Sequence, residues 1–205
     1  MTVVAISAAY GARGSLIGPE LAERLAVPFV DRALTHRVAG ALDVSVEEAH
    51  QQWEPPSRSF LERILSSFHG VDTGAPVGPP PETTSPEDFR RAAEAAVLEQ
   101  AATGEGVILG RGSVAALREQ PHVLRVRLTG PRERRLAIAM QLGGLNEPEA
   151  SAAMRRLDRY HADYLREFYD VDIDDPALYH LTIDATALDV EPCIELIVTA
   201  AGAIR

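Results

Sequence analysis

The stretch Gly11-Ala-Arg-Gly14-Ser15 follows an apolar run, Thr2–Ala8, and precedes an amphipathic pattern from Leu16 to Leu25. A strand, a glycine turn and a helix in that order form a geometry that binds anions. Glycines let successive backbone N–H groups point inward, and the helix N-terminus adds partial positive charge. Gly11, Gly14 and Ser15 are the candidate phosphate-binding residues of this loop. The plainer alternative is a glycine turn that only redirects the chain from strand to helix. The full G-x-x-x-x-G-K-[ST] pattern is absent. The chain has no lysine at all: its 20 cationic side chains are all arginine. Any lysine-dependent mechanism is therefore excluded, and every fixed cation is a guanidinium. Arg13 is the local cation that could stand in for lysine, although a long planar group does not copy a compact ammonium. A solvated loop arginine is the competing reading. Pro19 bears on the loop as well. A helix starting at Gly14 loses an early hydrogen bond at Pro19, whereas a start at Gly18 puts Pro19 at the favoured first position and carries the free amides away from the loop.

The elements that must hold this loop follow from hydrophobic periodicity. Thr2–Ala8 reads as a buried strand, and Val27–Val30 as a second short one. Helices are expected over 32–42, after a capping box at Ser45 and Glu48, and over 57–68. Residues 70–85 are rich in Pro, Gly and Thr and read as a mobile loop. A long helix over Pro86–Ala102 turns Phe89, Ala93, Val97 and Leu98 to its apolar side. Strands are expected at Gly106–Gly112, Val123–Gly130 and Tyr179–Thr186, with helices at Glu133–Leu142, Pro148–Tyr169 and a closing helix to about Ala201. Strands separated by helices imply crossovers and a parallel sheet, hence the α/β class.

Length and charge bound the rest. The 205 residues suffice for one domain with a sizeable core. No apolar run is long enough to span a bilayer, and no basic-then-apolar leader opens the chain, so the reading is a protein without membrane attachment. Cys193 is the only cysteine, which permits no internal disulfide and points to a reducing, cytoplasmic setting. Its place on the apolar face of the last helix makes it a core residue rather than a nucleophile. A formal charge of −10 disfavours nucleic acid as a partner. The six histidines show no metal-ligand spacing.

Three blocks in order carry a resemblance to a known family. "ISAAYGARGSLIGPELAERLAVPFVDR" resembles the opening of the cytidylate kinase-like family, an aromatic residue and G-S-G-G-R-E-I-G before a helix and an aromatic-x-D-R strand end. "VILGRGSVAALREQPHVLRVRLTGPRERR" and "LDRYHADYLREFYDVDIDDPALYHLTIDATAL" resemble its second and third blocks. The resemblance implies a P-loop nucleoside monophosphate kinase-like fold, a parallel sheet flanked by helices with helical substrate-binding and lid regions, the lid at about 131–169. It implies transfer of the γ-phosphoryl of ATP, with Mg²⁺, to a nucleoside monophosphate such as CMP. Such chemistry rests on positioning and charge neutralisation, for which arginine forks suit phosphate oxygens. Carried over by position, Gly11, Gly14 and Ser15 fall in the phosphate loop, with Ser15 the candidate metal ligand. Asp31 and Arg37 become candidates for holding the monophosphate, Asp31 having a helix-capping alternative. Arg111 matches the arginine of a G-R-G strand end, where ligands collect in such sheets, or else forms a structural ion pair with a carboxylate such as Asp31. Arg135 matches the arginine that starts the lid, and Arg159, beside Asp158, belongs to the lid helix, with Arg13 completing the candidate catalytic cations.

The chain also departs from the family pattern. Arg13 stands where the family prefers glycine, Ser15 and Leu16 replace an arginine and an acid, Gly112 replaces the aspartate of G-R-D, and His161 takes the place of a lid arginine. Two readings follow: a phosphotransferase weakened by a degenerate loop, or a non-catalytic nucleotide-sensing or interaction domain on the same fold. A nucleotide or small phosphate is the expected ligand in either case, and a homo-oligomer is compatible with both.

Overall fold

The computed structural model describes residues 2–30, 86–110 and 112–204. Elements are numbered within these segments. The strands are β1 (Thr2–Ala8), β2 (Phe29–Val30), β3 (Glu105–Leu109), β4 (Val123–Thr129) and β5 (Leu181–Asp184). The helices are α1 (Gly14–Leu25), α2 (Pro86–Ala102), α3 (Ser113–Ala116), α4 (Arg132–Gly143), α5 (Glu147–Tyr169) and α6 (Val190–Ala203), with a 3₁₀ turn at Pro176–Leu178. The expectations for 32–42, Ser45–Glu48, 57–68 and 70–85 lie outside the described residues.

The five strands form one parallel sheet in the order β2-β3-β1-β4-β5. β1 is central because both of its faces and both of its edges are covered, as its unbroken apolar run requires. Side chains alternate along it. Val4 and Ile6 pack with Ile17 and Leu21 of α1 and with Cys193, Ile194 and Ile197 of α6. Val3 and Ala5 pack on the other face with Val97 of α2, Leu117 and Leu165 of α5. Cys193 is fully buried, in line with its place on the apolar face.

Two expectations are corrected. α2 buries Ala93, Ala96, Val97 and Ala101, while Leu98 is 39% exposed. The buried set repeats at intervals of three and four, and Leu98 lies a helical step of about 100° beyond Val97. The strand expected over Gly106–Gly112 ends at Leu109, because Gly110 and Gly112 both adopt positive φ and turn the chain into α3. α5 begins where Asn146 accepts from the Glu149 amide and the Glu149 carboxylate returns the bond, a reciprocal cap that fixes the start of the α4–α5 hairpin.

Candidate functional site

The loop leaves β1 at Ala8 and enters α1 at Gly14, so the helix starts at the earlier of the two expected positions and holds Pro19 in its interior. Each glycine has a steric reason. A β-carbon on Gly11, at φ +79°, would sit 2.1 Å from the Arg135 carbonyl oxygen. One on Gly14 would sit 2.5 Å from the Ala8 β-carbon. The backbone therefore approaches α4 and β1 closer than any side chain permits. Among the described residues, the amides of Gly11, Arg13, Gly14 and Ser15 meet no protein acceptor, whereas those of Ala9, Tyr10 and Ala12 do. Left-handed φ at Gly11 and Arg13 bends the chain in the manner of an anion-binding nest, at the N-terminus of a twelve-residue helix.

Arg13 occupies a left-handed position, φ 57° and ψ 21°, which a non-glycine residue adopts at a cost of about 1–2 kcal/mol. Its guanidinium Nη1 donates to the Ala185 carbonyl at 3.1 Å and the Leu188 carbonyl at 2.7 Å. The side chain thus ties the loop to the segment after β5. Ser15 is exposed in the first turn of α1.

Arg135 is largely buried, its side chain 12% exposed, and its Nε and Nη1 donors are committed. Nε donates to the Gly130 carbonyl at 3.0 Å. Nη1 donates to the Tyr10 carbonyl at 2.9 Å and to Asp158 Oδ2 at 2.8 Å. Asp158 Oδ1 accepts the Tyr10 amide at 3.0 Å. One ion pair therefore holds both backbone polar groups of Tyr10 and joins α4 and α5 to the base of the loop. Arg159, next to Asp158 on α5, is exposed and forms no hydrogen bond or ion pair with the described residues. Asp31, Arg37 and Arg111 lie outside the described residues.

Beside the loop opens a cavity of about 500 Å³. The loop supplies Tyr10, Gly11, Arg13, Gly14 and Ser15, the end of β3 and the turn after it supply Leu109, Gly110 and Gly112, α3 supplies Ser113 and Val114, and α5 supplies Tyr160, His161 and Tyr164. The cavity sits at the C-terminal ends of β1 and β3, where parallel sheets bind ligands. Its wall explains Gly112: a β-carbon there, at φ +67°, would lie 3.0 Å from the rings of Tyr164 and Tyr169. Among the described residues no group of three or more His, Cys, Asp or Glu could hold a metal. Sequence reasoning missed Ser7 in the cavity wall and the buried Arg127 behind it. The available signal was a pair of arginines, Arg125 and Arg127, inside an otherwise apolar strand.

A parallel 2-3-1-4-5 sheet with a glycine loop after its central strand defines a P-loop kinase-like fold. The chain belongs to the cytidylate kinase-like family, whose profile matches residues 3–187. Solved structures agree on the fold. An uncharacterized protein from Eubacterium ventriosum superposes with a TM-score of 0.67 at 17% identity, covering 98% of this chain and 99% of that one. A shikimate kinase from Bacteroides thetaiotaomicron gives 0.53 at 15% identity, covering 98% of each chain. A gluconokinase from Sinorhizobium meliloti gives 0.50 at 17% identity, covering 98% of this chain and 92% of that one. Among curated proteins none matches the chain. No helix among the described residues is long and apolar enough to cross a membrane.

Proposed function

We propose that the protein is a nucleotide-binding phosphotransferase that moves the γ-phosphoryl of ATP to a small acceptor, nominally a nucleoside monophosphate such as CMP, at a slow rate. One observation carries the reading: four amides, of Gly11, Arg13, Gly14 and Ser15, meet no acceptor among the described residues and are left as donors on a cavity wall at a helix N-terminus. Buried or cleft-facing backbone donors are otherwise almost always satisfied, and phosphate oxygens fit four such groups. Family membership agrees with it.

The donor set fits Mg²⁺–ATP in a limited way. The amides suit phosphate oxygens, and the Ser15 hydroxyl, the one side-chain oxygen of Gly11–Ser15, suits a magnesium ion that keeps most of its ligands from water and phosphate. Magnesium would neutralise charge on the transferring group. The residues of this chain orient the phosphates, and the Arg135–Asp158 pair holds the loop in register with α4 and α5. The slow rate follows from the cations. Transfer needs charge that follows the moving phosphoryl group, and the Arg13 guanidinium is engaged on two carbonyls. Arg111, in the G-R-G segment at the end of β3, is our candidate for the phosphate-facing cation, with Asp31 and Arg37 for the acceptor.

A nucleotide panel (ATP, ADP and CMP, with and without Mg²⁺) read by thermal shift tests binding, because a ligand of the native state raises its stability by mass action. A coupled phosphotransfer assay with CMP then tests chemistry. Arg111→Ala is expected to weaken ligand binding by about 2 kcal/mol through loss of a charge-assisted contact. Absence of any nucleotide-dependent shift refutes the proposal. Binding without transfer to any acceptor leaves the sensing domain as the function.

A further inference from the structure

Arg127 of β4 is an interior guanidinium, its side chain 9% exposed. It pairs in register with Ser7 of β1, and its Nη1 donates to Ser7 Oγ at 2.8 Å. Its counter-charge is thin. Asp174 Oδ1 lies 3.7 Å from Nη2 on a side chain that is 83% exposed, where water screens it. The Tyr179 ring lies 6.0 Å from the guanidinium carbon. Tyr179 donates its hydroxyl to the Ile173 carbonyl at 2.7 Å, and burial pushes its pKa up, so the phenol brings no negative charge. A buried guanidinium whose one carboxylate partner among the described residues is exposed is costly, and it leaves a positive field in the low-dielectric interior.

Arg127 stands one residue behind the cavity: Ser7, which its guanidinium bonds, is part of the wall. A hydroxyl oxygen that accepts from a guanidinium keeps its own hydrogen to give, and the charged bond polarises it toward donation; the Tyr179 hydroxyl stands beside Ser7 as the neutral acceptor that an anion would replace. Ser7 lies three residues before Tyr10, at the foot of the phosphate loop. We propose that Ser7 and Arg127 recognise an anionic oxygen of the acceptor, a phosphate or a carboxylate. Ser7 donates the hydrogen bond, and Arg127 is the positioning residue that orders and polarises it. This rests on the phosphotransferase reading of the cavity and adds that the acceptor is negatively charged at the β1–β4 side.

The test uses the full chain with Ser7→Ala, Arg127→Gln and Arg127→Lys. Calorimetric titrations use CMP against uncharged cytidine, inorganic phosphate against acetate, and ATP as the loop ligand. The expected result is at least a tenfold loss of CMP affinity in Ser7→Ala and Arg127→Gln, with cytidine and ATP changed less than twofold. Arg127→Lys recovers most of the loss. The phosphate and acetate arms show which anion the site prefers. Unchanged CMP affinity in Ser7→Ala, with melting temperature alone falling in Arg127→Gln, would mean that Arg127 only anchors the turn around Asp174 and would overturn the assignment. Normal ATP binding in that case leaves the phosphotransferase reading standing. A wild-type chain that binds neither ATP nor CMP overturns both.

Discussion

Arg13 separates two effects that usually travel together, a side chain's bonds and its backbone strain. In Arg13→Ala the bonds to Ala185 and Leu188 are lost, while the residue still has to adopt φ 57°. Charged hydrogen bonds contribute about 1.5 kcal/mol each at the low end, and the shorter one of these is exposed, so a loss of about 2 kcal/mol is expected. Arg13→Gly loses the same bonds but removes the left-handed penalty, less the entropy that glycine adds to the unfolded chain, so it should lose only about 1 kcal/mol. With a urea slope of about 2 kcal/mol per molar, denaturation midpoints fall by about 1 M for Ala and about 0.5 M for Gly. Both variants should weaken ATP binding alike, because both release the segment after β5 from the loop. Turnover per bound ATP should stay unchanged. The reasoning is refuted if Ala and Gly unfold together at the wild-type midpoint while turnover collapses in both. That outcome would mean the guanidinium leaves its two carbonyls and serves the phosphate as the missing lysine would.

Asp158→Asn removes the charge that Arg135 faces and should cost about 2 kcal/mol, less than a fully buried pair because the Asp158 side chain is 32% exposed; chemical denaturation with a parallel phosphate titration should show stability and anion affinity falling together. His180 accepts the Arg125 amide through Nδ1, and burial followed by the Arg125 cation lowers its pKa below 6.5. The folded chain therefore takes up this proton at lower pH than the unfolded chain, so stability is complete above about pH 6.5 and declines as pH falls through that value toward the folded pKa. His180→Gln should flatten this decline in denaturation curves taken between about pH 5 and 7; an unaltered decline would assign it to other groups. Cys193 is fully buried and burial raises its thiol pKa, so a thiol reagent should label it only at the rate of global unfolding, and prompt labelling of the native protein would contradict the packing.

The parts of this molecule that depend on local periodicity were legible in its sequence, and the parts that depend on where long side chains end were not. α2 was read at its observed bounds, Pro86–Ala102, because a run of alanines between turn residues leaves few alternatives. The loop was legible for a similar reason: glycines at 11 and 14 answer to backbone approaches of 2.1 and 2.5 Å, and such approaches admit no other residue. Arg13 was not legible. Its bonds reach residues 172 and 175 positions away, and no pattern within the loop encodes the proximity of the β5–α6 segment. Arg135 and Asp158 share that property at a separation of 23 residues. Their roles follow from the sheet order, which sets α4 and α5 beside the end of β1. The departures from the family's pattern gain physical content in the same way. An arginine at a left-handed loop position is tolerable where two carbonyls receive it, and a glycine after Arg111 is required where two tyrosine rings stand 3.0 Å from its missing β-carbon. Both substitutions keep the backbone path of the loop and of the cavity wall while changing the cations and contacts around it.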